Sequence, residues 1–416
     1  MHVFHGFFST ILGLLACASQ AAEPPVEWIE PTTGHRVVRL SREPGSASLY
    51  FHQNAYSADG RKLVLSTPDG LATVNLETRE IEPVVAGRVG ALVTGRKTGQ
   101  VYYTRDGAIF ATDLGTHMTC EIAKIPAGAG GGNITVNADE TEIVGIAGDA
   151  QGSTVPRVAP AGQSGGKLEE RWAAGGAMMI YTVQIATGEV KTIHRENDWT
   201  NHLQCSPTDP RQIMFCHEGP WHFVDRIWTV RDDGTALRLM HRRTMEMEIA
   251  GHEFFSPDGK AVWYDLQTPK SGVFWLAGVD LATGARTQYH VERNEWSVHY
   301  NMSPDGKMFA GDGGGPGSVA NRSPDGRPLD PPGNGQWIYL FHPRLAHASP
   351  SPELIKTGWL EGERLVDLSK HTYDLEPNVT FTPDGKWVVF RSNMHGATHT
   401  YAVEVAKTGA VNAALP

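Results

Sequence analysis

Histidines and carboxylates gather in five short runs of this 416-residue chain. The runs are Asp198–His202, Cys216–His222, Met245–Phe254, Val298–Asn301 together with Gly311–Gly313, and His371–Asn378. Neutral imidazoles beside carboxylate and amide oxygens suit a divalent metal such as Mn²⁺, Zn²⁺ or Ca²⁺. A histidine that is not a ligand can serve as a base near neutral pH. The chain has no serine nucleophile elbow, Walker motif or dinucleotide fingerprint, so the residue types favour metal and proton-transfer chemistry.

A turn followed by an apolar strand recurs along the chain and supplies the elements that must position these runs. In its full form, Ser-Pro-Asp-Gly, proline presets the first turn angle, aspartate caps the turn and glycine accepts a positive φ. The instances are Ser57–Gly60, Asn137–Glu140, Ser206–Asp209, Ser256–Gly259, Ser303–Gly306 and Thr382–Gly385. A second signal, an outer strand that ends in a turn, follows at Val74–Thr78, Val183–Gly188, Val279–Gly284 and Val403–Gly409. Each unit therefore indicates one blade of a propeller.

The repeat predicts an all-β, seven-bladed β-propeller that occupies residues 23–416 as a single domain. The hairpin Tyr102–Asp113 supplies the blade missing from the first long gap, and Trp28–Leu40 adds a strand that closes the ring. A content of 46 Gly and 26 Pro is what many short strands and tight turns require. Because equivalent ends of successive blades meet at the central channel, we expect the polar runs to converge into one site.

Two stretches interrupt the repeat, near residues 151–176 and 311–335, and both are rich in Gly, Pro and Ser. They are insertions, and two interpretations of them stay open. They either shape a rim or lid over the site or are solvated loops without a function.

The N-terminal residues 1–22 contain no Asp, Glu, Lys or Arg, and Phe7–Ala18 is apolar. This pattern predicts a signal peptide and export to the periplasm or beyond, and the apolar run is too short for a permanent membrane span. Leu14–Cys17 resembles a lipoprotein box, so a lipid anchor at Cys17 is an alternative. Cys205 and Cys216 flank one turn and either pair across a hairpin or remain two thiols.

The charge of the chain limits its partners. A formal net charge of −10 leaves no basic footprint for nucleic acid, so we expect no DNA or RNA partner. An anionic ligand would need local cations or a metal.

Several of these runs resemble the oligogalacturonate lyase family in order and spacing. They are Glu196–His202, Phe215–Pro220, Val224–Trp228, Gly251–Phe254, His299 and Gly311–Gly313. The resemblance implies a seven-bladed propeller that cleaves short pectin fragments, an acidic oligosaccharide substrate, by β-elimination. It also implies a divalent metal, Mn²⁺ in the family, that neutralises the uronate carboxylate.

The resemblance assigns roles to individual residues. It implies that His202 is the base and that His252 is a metal ligand. The other family ligands, one glutamine and two histidines before the last blade, align with Tyr373, Glu376 and Asn378, and none is retained. Two alternatives then stay open. Either Glu376 and Asn378 bind the metal through oxygen, with nitrogen from nearby His371 and with Mn²⁺ or Ca²⁺ as the cation, or the metal is absent.

The arginine that assists the base in the family has no aligned counterpart. Arg171 is the candidate for that catalytic role, and Arg226 and Arg391 are candidates for binding the substrate carboxylate. The remaining candidates for substrate contacts are His217, Glu218, His222, Glu253 and His299.

Two other functions stay open at this stage. One is a glycoside hydrolase that uses Glu218 and Glu253 as paired carboxylates. The other is a carbohydrate-binding propeller without catalysis, in which the repeated turns are only structural. Product chemistry separates them, because elimination creates a conjugated double bond and hydrolysis creates only a reducing end.

Overall fold

The computed structural model describes residues 23–126, 133–157, 167–346, 351 and 353–407. The predicted signal peptide, the predicted lipidation site at Cys17 and part of the first insertion lie outside the described residues.

Strands form nearly all of the regular structure of the described residues, which confirms the all-β prediction. In the first half of the chain the strands are β1 (Glu27–Ile29), β2 (His35–Arg39), β3 (Lys62–Thr67), β4 (Gly70–Asn75), β5 (Ile81–Ala86), β6 (Leu92–Thr94), β7 (Gln100–Arg105), β8 (Ala108–Asp113), β9 (Thr119–Lys124), β10 (Ile134–Val136), β11 (Glu142–Gly148), β12 (Met178–Gln184) and β13 (Val190–Glu196). In the second half they are β14 (Thr200–Cys205), β15 (Gln212–His217), β16 (Ile227–Arg231), β17 (Arg238–Leu239), β18 (Ile249–Phe255), β19 (Ala261–Thr268), β20 (Val273–Asp280), β21 (Arg286–Val291), β22 (Tyr300–Met302), β23 (Phe309–Gly311), β24 (Trp337–Leu345), β25 (Lys356–Asp367), β26 (Thr380–Phe381), β27 (Trp387–Ser392) and β28 (His399–Lys407). The helices are α1 (Lys167–Ala174) and two 3-10 turns, Arg293–Glu295 and Val319–Asn321.

Strands that are consecutive in the chain pair antiparallel into sheets, in a propeller-like arrangement. β3–β5, β6–β9, β10–β13 and β14–β17 each form one sheet. β18–β21 and β22–β25 form two four-stranded runs that join through parallel pairing of β21 with β25. The last sheet has five strands in the order β26, β27, β28, β2 and β1. The N-terminal strands therefore complete the C-terminal sheet, as predicted from Trp28–Leu40.

Five of the six predicted turns connect two paired strands of one sheet, and the turn Ser57–Gly60 leads into β3, the first strand of its sheet. In the turn before β3, the Ser57 hydroxyl donates to Asp59 at 2.6 Å, and the amide of Gly60 donates to the Ser57 carbonyl at 2.8 Å. Gly60 has a φ of 70°, a conformation that favours glycine. Asp59 also accepts from the amide of Arg61, which completes the side-chain cap.

Apolar side chains fill the space between neighbouring sheets. One buried cluster includes Leu63 of β3, Tyr103 of β7 and Val389 of β27, which come from three different sheets. The first strands of successive sheets also lie side by side, since β10 contacts β6 and β14, and β22 contacts β26. The ends of these inner strands thus face a common axis, where the polar runs meet.

The described cysteines Cys120, Cys205 and Cys216 are free thiols, so the structure selects two thiols over a hairpin disulfide. Within the described ranges, no helix has the length and apolarity needed to cross a membrane.

Candidate active site

Two β-bulges place histidines at equivalent positions of neighbouring sheets. The register of β14 against β15 shifts between Asn201 and Gln204, and that of β18 against β19 shifts between Gly251 and Phe254. His202 and His252 lie in these bulges with φ of 48° and 51°, in the left-handed region that is unfavourable for residues other than glycine. Their ring centroids are 6.4 Å apart. Such strain at two matching positions is typical of a functional site.

A buried guanidinium lies under His202, held by two carboxylates. Arg226 is 2% exposed, and its Nη1 and Nε donate to Glu218 Oε2 at 2.9 Å and Glu253 Oε2 at 3.1 Å. Burial favours a raised pKa for both carboxyls, but Arg226 and His202 together outweigh it and lower the pKa of Glu218 and, well below its usual range, that of Glu253. Both carboxylates are therefore ionised at neutral pH.

His202 is fixed against this buried cluster by one edge of its ring. Its Nδ1 lies 3.1 Å from Glu253 Oε1 and 3.3 Å from Arg226 Nη2. Its Nε2 lies 3.8 Å from Glu218 Oε1. When Nδ1 carries the ring proton and directs it at Glu253 Oε1, Nε2 keeps the lone pair and is the nitrogen that can accept a proton. The nearby carboxylates compensate the positive charge that this second proton gives to the ring.

His299, just before β22, is oriented by a buried carboxylate. Its Nδ1 lies 2.7 Å from Asp312 Oδ2, and its backbone amide donates to Asp312 Oδ1 at 2.8 Å. Neither side chain is exposed. On the opposite edge of the ring, Nε2 lies 3.1 Å from the hydroxyl of Tyr50 and 3.8 Å from Glu376 Oε2. Asp312 thus accepts two hydrogen bonds from His299, which directs Nε2 of His299 toward Tyr50 and Glu376.

His252 lies between His299 and an indole ring. Its ring centroid is 4.7 Å from that of His299 and 4.9 Å from that of Trp221. Its Nδ1 is buried and has no hydrogen-bond partner among the described residues. Burial, together with the charges of His299 and Arg226, holds the pKa of His252 well below its usual value. His252 is consequently a neutral imidazole with an unused polar atom, which is unusual in a folded interior.

A cavity of about 760 Å³ opens beside His252 and has the size of a small-molecule site. Glu376, Trp221 and Lys270 contribute to its wall. Leu168 and Glu169 from the first insertion and Gly315–Val319 from the second also line it. Both insertions therefore shape the rim of the site, which was the first of the two interpretations of the sequence.

His371, Asn378 and Arg391 do not line this cavity, although the sequence predicted two of them as ligands and the third as a carboxylate binder. His371 Nε2 donates to the Leu375 carbonyl at 2.6 Å, and its Nδ1 lies 2.9 Å from the Ser392 hydroxyl. The Asn378 amide nitrogen and the Arg391 Nε both donate to the Glu376 carbonyl, at 3.1 and 2.8 Å. Both ring nitrogens of His371 and both polar atoms of the Asn378 side chain are thus engaged by the surrounding chain. The Arg391 guanidinium is held by the carbonyls of Glu376 and, at 3.4 Å, Ser48.

Arg171 and Arg226 also do not line this cavity. The Arg171 guanidinium stacks on the Trp199 ring at 3.4 Å. Arg226 contacts His202 instead, from the buried side, and its charge is already paired with Glu218 and Glu253. Of the other predicted site residues, His222 lines the cavity. Those outside its lining are His202, His217, Glu218, Glu253 and His299.

His217, on the same sheet as His202, belongs to a second cluster that links this sheet to β13 of the neighbouring sheet. Its Nε2 lies 3.2 Å from Glu196 Oε1, the atom that His194 Nε2 approaches to 2.7 Å. Burial favours a raised pKa for Glu196, but the hydrogen bonds from His194 and His217 lower it to about 2. The carboxylate of Glu196 therefore stabilises the strands β13 and β15 that carry the two histidines.

Glu196→Gln should lower the free energy of unfolding at neutral pH by about 1–3 kcal/mol, because the amide cannot replace the carboxylate between two histidines. A depressed carboxyl pKa contributes stability above the pKa of the unfolded chain, and this contribution is lost as the pH falls. The difference in free energy of unfolding between wild type and Glu196→Gln, measured by urea unfolding, should thus become smaller below about pH 4.3. Glu77→Gln, at an exposed turn, is the matched control. A difference that stays constant with pH would contradict the role of the charge.

Some residues of the site carried no usable signal in the sequence. Asp312 lies in the Gly311–Gly313 motif, which gives no indication of its bond to His299, and Lys270 and Tyr50 lie outside the polar runs. His52 lies within the channel, where its ring centroid is 5.5 Å from that of His202, and burial lowers its pKa to about 3. Its position in an unpatterned segment before β3 explains why it was missed.

The fold and site define a propeller-like β-protein with a channel-end cleft of imidazoles, carboxylates and indoles, the kind of site that binds and transforms a polar small molecule. A protein-family model described as oligogalacturonate lyase matches residues 26–409 of the chain. The chain belongs to the oligogalacturonate lyase family, which confirms the predicted family and the class of enzyme, a lyase.

Two relatives and two solved structures are similar to this chain over most of its length. The chain is 27% identical to the oligogalacturonide lyase of Pectobacterium atrosepticum, over 90% of this chain and 95% of that protein. It is also 27% identical to the oligogalacturonate lyase of Dickeya dadantii, with the same coverage. An oligogalacturonate lyase structure in complex with manganese superposes with a TM-score of 0.73 at 24% identity, over 92% of this chain and 96% of that one. The oligogalacturonate lyase structure from Vibrio parahaemolyticus gives 0.74 at 23% identity, with the same coverage.

Proposed function

We propose that this chain is an exported lyase that cleaves short, pectin-type uronate oligosaccharides by metal-assisted β-elimination and releases 4,5-unsaturated products. Family membership over residues 26–409 supports the reaction class. The observation that carries the proposal for this chain is His202, whose ring is fixed by Glu253 and Arg226 with Nε2 directed away from the buried pair.

In the proposed reaction, Nε2 of His202 removes the proton from C5 of a uronate. The electron pair of the C5–H bond forms the C4–C5 double bond, and the C4–O4 bond breaks with its electron pair left on O4. The departing O4 then takes up a proton. As the His202 ring becomes positively charged, the ionised carboxylates of Glu218 and Glu253 stabilise it. The chain thus supplies a base and the charges that balance it.

A divalent cation, Mn²⁺ or Ca²⁺, is part of this proposal. The neutral imidazole of His252, with its unpartnered Nδ1, and the carboxylate of Glu376 line the same cavity, so the donor groups fit a divalent ion. When bound, such an ion neutralises the uronate carboxylate and makes the C5 proton more acidic. The manganese complex of a related lyase is consistent with Mn²⁺.

The remaining cavity wall suits an acidic sugar chain. Lys270 provides a positive charge for a further uronate carboxylate, and the half-buried Trp221 offers an indole face for a sugar ring. Trp296, also in the wall, donates its indole N–H to buried Asp265 at 3.0 Å and is held in the core.

The electrostatics of the site do not favour a glycoside hydrolase. A hydrolase with paired carboxylates needs one carboxyl of raised pKa as its acid. Arg226 lowers the pKa of both Glu218 and Glu253, so neither is a proton donor at neutral pH.

We further propose that the sheets count as seven blades, with β18–β21 and β22–β25 taken as two. The antiparallel pairing within each of these runs supports that count. The apolar, uncharged N-terminal segment supports export to the periplasm or the medium.

The test follows ultraviolet absorbance while purified protein is incubated with digalacturonate and trigalacturonate, with Mn²⁺, with Ca²⁺ and after chelation. We expect absorbance from a conjugated product to rise, and to rise more slowly after chelation. Reducing ends that appear without absorbance would indicate hydrolysis. A ligand-dependent rise in melting temperature with no product would instead indicate a binding protein.

A further inference from the structure

A second cavity, of about 290 Å³, opens at the other mouth of the central channel, which we call the far mouth. Cys205 and Phe255, the last residues of the inner strands β14 and β18, line it, and the turns that follow the inner strands form its rim. His202 and His252 lie earlier in the same strands, on the side of the active site. The far-mouth cavity shares no lining residue with the active-site cavity, and its volume is near the lower limit for a small-molecule site.

Arg96 occupies a position of this rim that is small and apolar in the six predicted turns. The amide of Gly95 donates to the Gln100 carbonyl, five residues on, at 2.8 Å, as the amide of Ser57 donates to the Lys62 carbonyl at 3.0 Å. The segment between β6 and β7 is therefore a seventh turn of the repeat, and Arg96 is its second residue. The second residues of the other turns are Ala58, Ala138, Pro207, Pro257, Pro304 and Pro383. An alanine or proline suffices for the turn, so the turn itself does not account for an arginine.

The guanidinium of Arg96 lines the far-mouth cavity and has no hydrogen bond or ion pair with the described residues. Glu140 is the carboxylate whose charge acts on it, but Glu140 already accepts from the Thr98 amide and the Tyr102 hydroxyl, both at 3.2 Å. The cavity walls partly desolvate the guanidinium and lower its pKa from the usual value, and the charge of Glu140 partly offsets this effect. The group stays charged, because an arginine in a protein is not deprotonated at neutral pH. It is thus a cation that lacks a paired anion.

The neighbouring backbone fixes this cation at the rim and adds a second donor. Asn54 Nδ2 donates to the Thr94 carbonyl at 2.8 Å, and the Thr94 amide donates to the Asn54 carbonyl at 2.9 Å, which holds the end of β6 two residues before Arg96. Gln53, also in the lining, accepts from the Tyr50 amide with Oε1 at 3.2 Å. Its Nε2 has no partner among the described residues, so an amide N–H is available beside the guanidinium.

The rest of the lining favours an organic anion. No aspartate or glutamate lines the far-mouth cavity. The aspartates of the turns are engaged outside it, since each accepts from the hydroxyl and a backbone amide of its own turn, as in Asp59, Asp258, Asp305 and Asp384. Apolar side chains make up much of the wall, namely Phe51, Phe254, Phe255, Met302, Phe381 and the four turn prolines. Such a wall can pack against the carbon skeleton of a ligand, whereas inorganic phosphate has none.

We propose that the far mouth binds a small organic carboxylate, with Arg96 as the residue that pairs with the carboxylate group and Gln53 as a second donor. The planar guanidinium offers two parallel N–H groups that match the two oxygens of a carboxylate. The apolar wall then contacts the body of the ligand. This site does not depend on the lyase proposal, because it uses neither His202 nor a metal.

The test measures binding of galacturonate and benzoate to the full chain by calorimetry, with galactose and inorganic phosphate as comparisons. We expect both carboxylates to bind, and galactose, which lacks the carboxylate, to show no binding at this site. Arg96→Ala gives this turn the residue that two equivalent turns have, so the fold should be retained. It should weaken carboxylate binding at least about tenfold, because a charge-assisted pair is lost. Arg96→Lys should weaken it less, since the charge remains and only the fork geometry is lost.

Arg61→Ala is the matched control, because Arg61 is exposed beside the turn Ser57–Gly60 and does not line the cavity. Lys270→Met separates the two cavities, because Lys270 lines only the active-site cavity. Melting curves verify that each variant is folded.

Three results would overturn the proposal. Wild type that binds neither carboxylate, or binding that Lys270→Met removes and Arg96→Ala keeps, would show that the far mouth is not a carboxylate site. Equal weakening by Arg61→Ala and Arg96→Ala would reduce the effect to the overall charge of this mouth. Phosphate that binds as tightly as the carboxylates would reject an organic ligand. None of these measurements uses the unsaturated product, so their failure and that of the lyase proposal are distinguishable.

Discussion

His202→Ala is expected to lower kcat for trigalacturonate cleavage by about 10²–10⁴-fold, the usual contribution of a positioned base. The substitution removes Nε2, the nitrogen that faces away from the buried Arg226 and Glu253. It leaves the Arg226 ion pairs with Glu218 and Glu253 in place, so the fold should be retained. KM should change little, because the cavity wall at Trp221, Lys270 and Glu376 is intact.

The comparison is His290→Ala, which removes an imidazole that is 39% exposed on the outer strand β21. That variant should keep wild-type kcat and KM. Initial rates from the absorbance of the unsaturated product, with melting temperatures for all three proteins, provide the measurement. If His202→Ala keeps a kcat near that of His290→Ala, another group is the base and the proposed mechanism fails at its first step.

The fold could be predicted from the sequence because its information is local. Each Ser-Pro-Asp-Gly turn, such as Ser57–Gly60, fixes its own geometry through one side-chain cap and one glycine, whatever surrounds it. The apolar strand that follows indicates an element buried on both faces. Parallel pairing of β21 with β25 is different, because residues about 70 positions apart in the chain meet there and no local pattern encodes the contact.

The site was predicted only as a collection of residues. The runs that contain His202 and His252 carry recognisable motifs, but the direction of their side chains depends on the bulges in β14 and β18. A shift of one residue in register exchanges the two faces of a strand. Sequence alternation alone therefore gave no basis for burying Glu253 beside Arg226 while its neighbour His252 lines the cleft.

Side-chain direction was even less predictable from the sequence in the segment before the last blade. His371, Glu376 and Asn378 lie in a stretch without regular strand structure, where no periodicity relates position to direction. Their residue types suggested three ligands. Hydrogen bonding engages two of them and leaves Glu376 facing the cavity, an outcome that only the three-dimensional contacts reveal.

Arg226→Met should lower the free energy of unfolding at neutral pH by about 3–5 kcal/mol, because it leaves two buried carboxylates without their cation. Glu218 and Glu253 are 8% and 0% exposed, so water cannot take the place of the guanidinium. The packing of the guanidinium over the Trp221 ring, at 4.9 Å, is also lost. Activity should fall as well, since His202 loses one of the groups that hold its ring.

The pH dependence distinguishes this electrostatic effect from a simple packing defect. In wild type the lowered pKa of Glu253 adds stability above the unfolded pKa, and that stability is lost as the pH falls. In Arg226→Met the unpaired carboxyls should have raised pKa values, so that protonation restores stability as the pH falls. The difference in free energy of unfolding between wild type and Arg226→Met, measured by urea unfolding, should thus disappear toward about pH 4–5.

The triple variant Arg226→Met, Glu218→Gln, Glu253→Gln should recover much of the stability at neutral pH without recovering activity. If the difference in free energy of unfolding between wild type and Arg226→Met is the same at every pH, Arg226 acts through its volume rather than its charge.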